Sequence, residues 1–201
     1  MATIEPTATE TALPGDTVLP GKPPFTVDDL LEFPDDGNRY ELINGSLLVS
    51  PAPSPLHQLA IFQMQRLLYE AAPPGLQPLS TVNLRISERT FFIPDIAVVP
   101  VRRLRSVELM FAPSDILLAV EIVSPTTRVR DRLVKAAAYA EAGITTYWRV
   151  ELDEGPALYA YTLGTTGYGD PQVHRAGQVA AFQAPFEVAF DPGVLVEALD
   201  E

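Results

Sequence analysis

Two carboxylates stand where a charge is hard to accommodate. Ile116–Val123 reads ILLAVEIV, apolar at every position except Glu121, and Phe91–Val99 reads FFIPDIAVV, where Asp95 interrupts a second apolar run. An ionised acid within such a strand has to be neutralised by a proton, a cation or a metal. If the two strands are neighbours, both side chains can meet at one ion. A hard ion such as Mg²⁺ takes a few carboxylate oxygens and keeps several waters, and it supplies both an activated water and charge relief on a phosphate. The competing account is structural, with Glu121 paired to an arginine as a buried bridge.

Further along, Arg128, Asp131, Lys135 and Tyr139 fall at i, i+3, i+7 and i+11 and share one face of a helix. Two accounts of Lys135 stand side by side. On a solvated helix, Asp131 and Lys135 form an i, i+4 pair contributing about a few tenths of a kcal/mol. Alternatively, Lys135 reaches back over the strand end, where an ammonium orients an attacking water or stabilises a charged transition state. The opposite face, with Val129, Leu133, Ala136, Ala137 and Ala140, is expected to pack on the sheet. Glu41, between Tyr40 and Leu42-Ile43, is a third acid among apolar neighbours. His57 opens another helix and either touches a phosphate, performs acid–base work, or serves as a local hydrogen-bonding residue. His174 lies in a late polar strand and carries no assigned role.

The elements that must position these residues are legible in outline. A short helix is expected at Phe25–Leu31 with Thr26 as N-cap. Arg39–Ile43 and Ser46–Ser50 form a hairpin across Asn44-Gly45. A helix runs from Leu56 to Ala72, ending before Pro73-Pro74-Gly75. Strands are expected at Leu79–Ile86 and Thr90–Val99, then a polar, basic loop from Pro100 to Pro113. Ile116–Val123 is the most apolar run and should be a central strand covered on both faces. Ser124-Pro125-Thr126-Thr127 caps a helix spanning about Arg128 to Ala142, which ends at Gly143. Thr145–Val150, Leu158–Leu163, Gln172–Arg175 and Phe186–Phe190 read as strands, with a turn from Gly164 to Asp170. This order gives an α/β domain with a mixed sheet.

Composition narrows the function classes. The 201 residues suit one domain, expected at 25–201, behind a flexible tail at 1–24 rich in Pro, Thr, Gly and Glu. There are no cysteines, which excludes disulfides and thiolate metal sites. No stretch approaches the roughly 18 continuous apolar residues of a membrane span. The N-terminus lacks the basic start and apolar core of a signal peptide, so the cytoplasm is the expected compartment. Fourteen basic against 26 acidic residues give a net charge of −12, which argues against tight nonspecific binding to DNA. A local basic strip is still compatible with that charge. Arg102, Arg103, Arg105, Arg128, Arg130, Arg132 and Lys135 hold seven of the 14 positive charges, and either flank the site or are simply solvated.

Several short motifs occur in one order. They are Tyr40-Glu41-Leu42-Ile43-Asn44-Gly45, Ser54-Pro55-Leu56-His57, Pro94-Asp95-Ile96-Ala97-Val98-Val99 and Glu121-Ile122-Val123-Ser124-Pro125-Thr126. Arg130-Asp131, Lys135, Tyr139 and the run from Gly143 to Tyr147-Trp148 follow. With them, the chain from about Phe25 to Leu163 resembles the Uma-type restriction endonucleases, a bacterial branch of the PD-(D/E)XK nuclease superfamily.

The resemblance implies a restriction-endonuclease-like fold, a central mixed sheet flanked by helices, with Mg²⁺ (or Mn²⁺) at one sheet edge. It implies DNA phosphodiesters as the substrate and leaves room for a homodimer, although nothing in the chain names a dimer surface. Carried over by position, Asp95 and Glu121 are the metal ligands and Glu41 is an additional acid from the N-terminal part of the fold. The superfamily lysine should stand two residues after the glutamate, where this chain has Val123. The resemblance therefore assigns the ammonium to Lys135 on the following helix. Arg149-Val150-Glu151 stands where the family more often has an apolar pair and an aspartate, a change expected at the edge of the fold. A different class of function is a non-catalytic binding or regulatory module that keeps the fold, which the net charge favours because affinity for a polyanion rests largely on basic contacts.

Overall fold

The structure, a computed structural model, describes residues 20–50, 52–123 and 134–197. Most of the expected tail, the cap at Ser124–Thr127, and Arg128, Val129, Arg130, Asp131, Arg132 and Leu133 lie outside the described residues.

Helix α1 spans Val27–Leu30. The Thr26 hydroxyl accepts from the Asp29 amide, and the Asp29 carboxylate accepts from the Thr26 amide at 2.7 Å, satisfying two orphan donors of the first turn. Strands β1 (Arg39–Ile43) and β2 (Ser46–Ser50) form the expected hairpin. Its turn needs two left-handed residues, and Asn44 (φ 49°) and Gly45 (φ 82°) supply them. At Gly45 a Cβ would lie 2.6 Å from the Pro24 Cβ. Gly45→Ala should therefore lower stability by more than about 1 kcal/mol, read as a fall in the urea midpoint; an unchanged midpoint would show that Pro24 does not hold the hairpin.

Helix α2 (Pro55–Ala71) follows, with the Ser54 hydroxyl accepting from the His57 amide. Next come β3 (Leu76–Ser80), β4 (Leu84–Arg85), β5 (Phe91–Phe92) and β6 (Ile96–Pro100). Strand β7 (Leu118–Val123) leads to α3 (Ala136–Glu141), β8 (Thr146–Glu151) and β9 (Ala157–Gly164). The chain closes with β10 (Gly167–Tyr168), β11 (Gln172–Arg175), β12 (Ala180–Phe182) and β13 (Val188–Phe190).

A large sheet has the order β10-β9-β8-β7-β6-β3, with β11 also paired to β9. Only β7 and β8 run parallel in it, so the sheet is mixed. A smaller sheet has the order β2-β1-β5-β4, and β12 pairs with β13 as a separate ribbon. Strands β10 and β12 were not expected: Gly164–Asp170 read as a turn, and its two paired residues are too few to leave a pattern. Among the described residues no helix is long and apolar enough to cross a membrane.

The expected strands Leu79–Ile86 and Thr90–Val99 are each split between the two sheets. Thr81 is left-handed (φ 52°), and Pro94 has no amide to give a ladder. The Thr81 amide donates to the Asp95 carbonyl at 3.1 Å, tying the two bends together. Asp95 is thus not inside a strand. It sits in the bend where the chain leaves β5 of the smaller sheet and enters β6 of the larger one.

Alternation fixes which way the side chains point. Ile96 and Val98 of β6, Leu118, Val120 and Ile122 of β7, and Trp148 and Val150 of β8 pack with Ala60, Met64 and Leu68 of α2. Ala97, Val99, Ala119 and Tyr147 pack on the other face with Tyr139 of α3. With a period of two, Asp95 and Glu121 both belong to the α3 face. Every residue of β7 is buried, as a doubly covered strand requires.

Candidate active site

The register brings the two acids together. Ile96 pairs with Val120 in the antiparallel β6–β7 ladder, so one step further Asp95 lies opposite Glu121, and opposed residues share a face. Asp95 is 4% and Glu121 5% exposed. Their carboxylates have different partners. Both Glu121 oxygens accept from Lys135 Nζ at 3.1 Å, and Oε1 also accepts from the Tyr139 hydroxyl at 2.6 Å. Asp95 Oδ2 accepts from the Ile122 amide at 2.8 Å and lies 3.3 Å from His57 Nε2, while Oδ1 is 3.4 Å from an Arg39 guanidinium nitrogen.

Glu41 joins the same cluster from β1. Its Oε1 accepts from Lys135 Nζ at 3.0 Å and from the Ile93 amide at 2.7 Å. Arg39, two residues earlier and so on the same side of β1, donates to the Ile93 carbonyl at 2.9 Å. The small sheet therefore grips the bend at Ile93 through both its amide and its carbonyl. That bend is what aims Asp95 at β7.

Lys135 is buried, which rules out the solvated-helix account of it. Its Nζ stands between Glu41 and Glu121, 5.6 Å from the centre of the Phe92 ring. The helix face carrying Lys135 and Tyr139 turns inward, whereas Ala137, expected to pack on the sheet, is exposed. The alanine methyls have little area to bury. The lysine stem and the Tyr139 ring, edge-on to Phe92 at 5.4 Å, have more. Glu121 is in a buried bridge, as the structural account expected, but with a lysine and a tyrosine instead of an arginine.

Such a cluster is hard to explain by stability alone. Desolvating two carboxylates and an ammonium costs about as much as their attraction returns, and apolar replacements are often no less stable. Grouped, buried, mutually perturbed acids are more typical of sites that do chemistry. Burial pushes the Glu121 carboxyl up; Lys135 pulls it down, and the charges of Asp95 and Glu41 push it up again, to about 8. Burial acts on Asp95 in the same direction, but the hydrogen bond and charge of His57, the Ile122 amide and Arg39 outweigh it and hold this carboxyl below the usual range. His57 is drawn down by burial and, more strongly in sum, up by Asp95 and the Ile122 carbonyl. Burial and the charge of Glu121 hold the Tyr139 phenol well above its usual value, so it remains a donor.

One consequence can be measured. Glu121 keeps its proton up to about pH 8 in the folded chain, against 4.5 for an ordinary glutamate. Between those values the folded state binds more protons than the unfolded one, so this group's contribution to stability falls as pH rises through that window. Glu121→Gln should flatten the decline, seen as urea midpoints that differ less between about pH 5 and about pH 8. Equal slopes in both proteins would contradict the assignment.

All four expected site residues, Glu41, Asp95, Glu121 and Lys135, meet here. Arg39 went unremarked in the sequence, although its i, i+2 spacing to Glu41 was a usable signal. Tyr139 was placed on the right helix face without a role. His57 is 9% exposed and binds at the acid cluster, with Nε2 2.8 Å from the Ile122 carbonyl oxygen.

One of the two readings of the basic strip fails for its described part, and so does the reading of Arg149. Arg102, Arg103 and Arg105 do not flank the site: they follow Pro100 at the far end of β6, a five-residue strand about 16 Å long. Arg103 instead pairs with Asp115 at 2.6 Å. Arg149, read as a change at the fold's edge, pairs in register with Glu121 across β7–β8. Its guanidinium turns toward β9, 4.2 Å from the Tyr159 ring centre and donating to the Tyr161 hydroxyl at 2.8 Å.

Comparison with known proteins gives a family and a fold. The sequence model of the family Uma2, described as "Putative restriction endonuclease", matches residues 27–193. Among solved structures, the chain resembles the crystal structure of "a putative nuclease belonging to DUF820" from Anabaena variabilis, with a TM-score of 0.65 and 18% identity over 80% of this chain and 89% of that one. At that identity the likeness is one of fold. No curated protein matches the chain.

Proposed function

The chain belongs to the Uma2 family of restriction-endonuclease-type proteins, and from that premise we propose that the buried acid cluster is the active site of a Mg²⁺- or Mn²⁺-dependent endonuclease acting on DNA phosphodiesters. The observation that carries this reading is the meeting of Glu41, Asp95, Glu121 and Lys135, from four separate elements, in one buried group where the chain crosses between its sheets.

The donor set suits such an ion. Carboxylate oxygens are the ligands hard divalent cations prefer. Three acids face two permanent cations, Arg39 and Lys135, and Glu121 is left with a carboxyl pushed up to about 8, which marks a shortage of positive charge at neutral pH. Among the described residues no three His, Asp or Glu side chains form a ready cage. Asp95 and Glu121 would hold the ion with water completing its shell, the pattern usual for Mg²⁺; when bound, it supplies charge relief on the phosphate and a more acidic water.

The protein's own groups do the rest by positioning and charge. Lys135 places an ammonium beside the acids and is itself fixed by Glu41. Tyr139 holds the Glu121 carboxylate by a short hydrogen bond. Arg39 and the Ile122 amide hold Asp95. The net charge of −12 limits nonspecific attraction for DNA, so productive binding rests on local contacts. The test is supercoiled plasmid incubated with Mg²⁺ or Mn²⁺. Nicked or linear product that disappears with chelator is expected; intact plasmid across both ions and varied substrates would favour the binding module that retains the fold.

A further inference from the structure

Strand β2 is the outer strand of the small sheet, and one row of its main-chain groups faces away from the protein. A two-residue turn is closed by a hydrogen-bonded pair, here Ile43 and Ser46, and such pairs alternate along the hairpin. Glu41–Leu48 and Arg39–Ser50 are therefore the next ones. The amides and carbonyls of Leu47 and Val49 then point away from β1, as those of Leu42 point to β5 on its other side. Neither Leu47 nor Val49 has a hydrogen bond on that edge among the described residues.

Free edges are normally blunted by charge, by proline or by a covering segment. The opposite edge of the same sheet, β4, is covered: the Arg85 amide donates to the Phe111 carbonyl at 3.0 Å, and the Phe111 amide to the Asn83 carbonyl at 2.8 Å. The outer strand β3 of the large sheet contains Pro78. Strand β2 reads Ser-Leu-Leu-Val-Ser, without charge or proline, and Val49 is 47% exposed.

We propose that this edge is where a second copy of the chain docks, the two β2 strands pairing antiparallel about a two-fold axis at Leu48. The edge is complementary to itself. Pairing Leu47 with the partner's Val49, and Val49 with the partner's Leu47, makes four hydrogen bonds and leaves none of these amides and carbonyls unused. A shifted register has nothing further to pair with. Gly45 already bonds to Arg89 and Phe25, and Pro51 has no amide. Each Val49 side chain gains the partner's Leu47 as an apolar neighbour on one face of the joined sheet. Charge selects the same partner. At a net charge of −12, two copies repel over much of their surface, and the uncharged β2 lets them meet without that cost.

The joined sheet runs β4-β5-β1-β2 and then through the same strands in reverse. Its axis is perpendicular to the sheet, so both protomers turn the same face to one side. Glu41 lies opposite Leu48, and the two Glu41 Cα atoms fall about 14 Å apart, three strand spacings. Both acid clusters then lie on one side of the dimer. The docking does not depend on the nuclease reading; on that reading, it offers one site to each strand of a duplex.

Sedimentation equilibrium of the unaltered full chain should show monomer and dimer exchanging. Val49→Pro should raise the dimer dissociation constant about tenfold or more. That substitution removes the outward amide and leaves the ladder to β1 intact. Cross-linking reads the register without that variant. The chain has no cysteines, and Leu48→Cys creates a non-hydrogen-bonded pair with Cα atoms about 4.5 Å apart, within disulfide range. Oxidation should link this variant into a dimer. Ser46→Cys lies on the same edge but about 14 Å from its counterpart in this register, and should link far less. A monomer at every concentration would overturn the proposal. So would a dimer indifferent to Val49→Pro, or one linked no better through position 48 than through position 46. Each of those results leaves the proposed cleavage chemistry standing, which plasmid nicking measures separately.

Discussion

Asp95→Asn is expected to reduce metal-dependent nicking of plasmid by at least about 10²–10³-fold, with little change in fold. The amide is the choice because Asp95 also has structural work. Its Oδ2 accepts from the Ile122 amide at 2.8 Å, and an asparagine oxygen keeps that bond. What asparagine loses is charge, and charge is what the cation, Arg39 and His57 require of this position. Alanine would remove both functions at once and confuse a site defect with a folding defect. The expected pattern is a near-native urea midpoint together with lost cleavage and weakened metal binding. If Asp95→Asn cleaved as well as the unaltered protein, the catalytic ion would have to be held elsewhere.

Lys135→Met should have the largest effect on stability, about 3–5 kcal/mol. The methionine fills the space of the lysine stem but leaves Glu41 and Glu121 facing each other without the ammonium that lies 3.0 Å and 3.1 Å from them. Removing one member of a buried ionic group is far more damaging than removing all of it. The double variant Lys135→Met with Glu121→Gln should therefore recover part of the loss. Additive losses in the double variant would mean that the lysine and glutamate are not coupled. Cleavage should be absent from both variants, because the ammonium is missing from each.

The elements that repeat a simple period were legible in the sequence. The apolar run of β7 announced a doubly covered strand, Asn44-Gly45 announced the hairpin, and Pro73-Pro74-Gly75 announced the end of α2. The identity of the acids was legible for the same reason, since a carboxylate inside an apolar run is conspicuous wherever it is read. The splitting of two apparent strands between two sheets was not, because Thr81 adopts a left-handed conformation that its residue type does not advertise. The partners of the acids were hidden too. Lys135 is 14 residues from Glu121 and 94 from Glu41, and helical spacing alone placed it equally well in solvent. Its burial follows from tertiary packing over Phe92 and Tyr139, which no local pattern encodes.

The account turns on whether Asp95 and Glu121 hold one divalent cation. Crystals soaked in Mn²⁺ and measured at the manganese absorption edge test this directly. A single anomalous peak at coordinating distance from both carboxylates is the predicted result. A peak elsewhere, or none, with Lys135 still bonded to both Glu121 oxygens and Arg39 still beside Asp95, would contradict it.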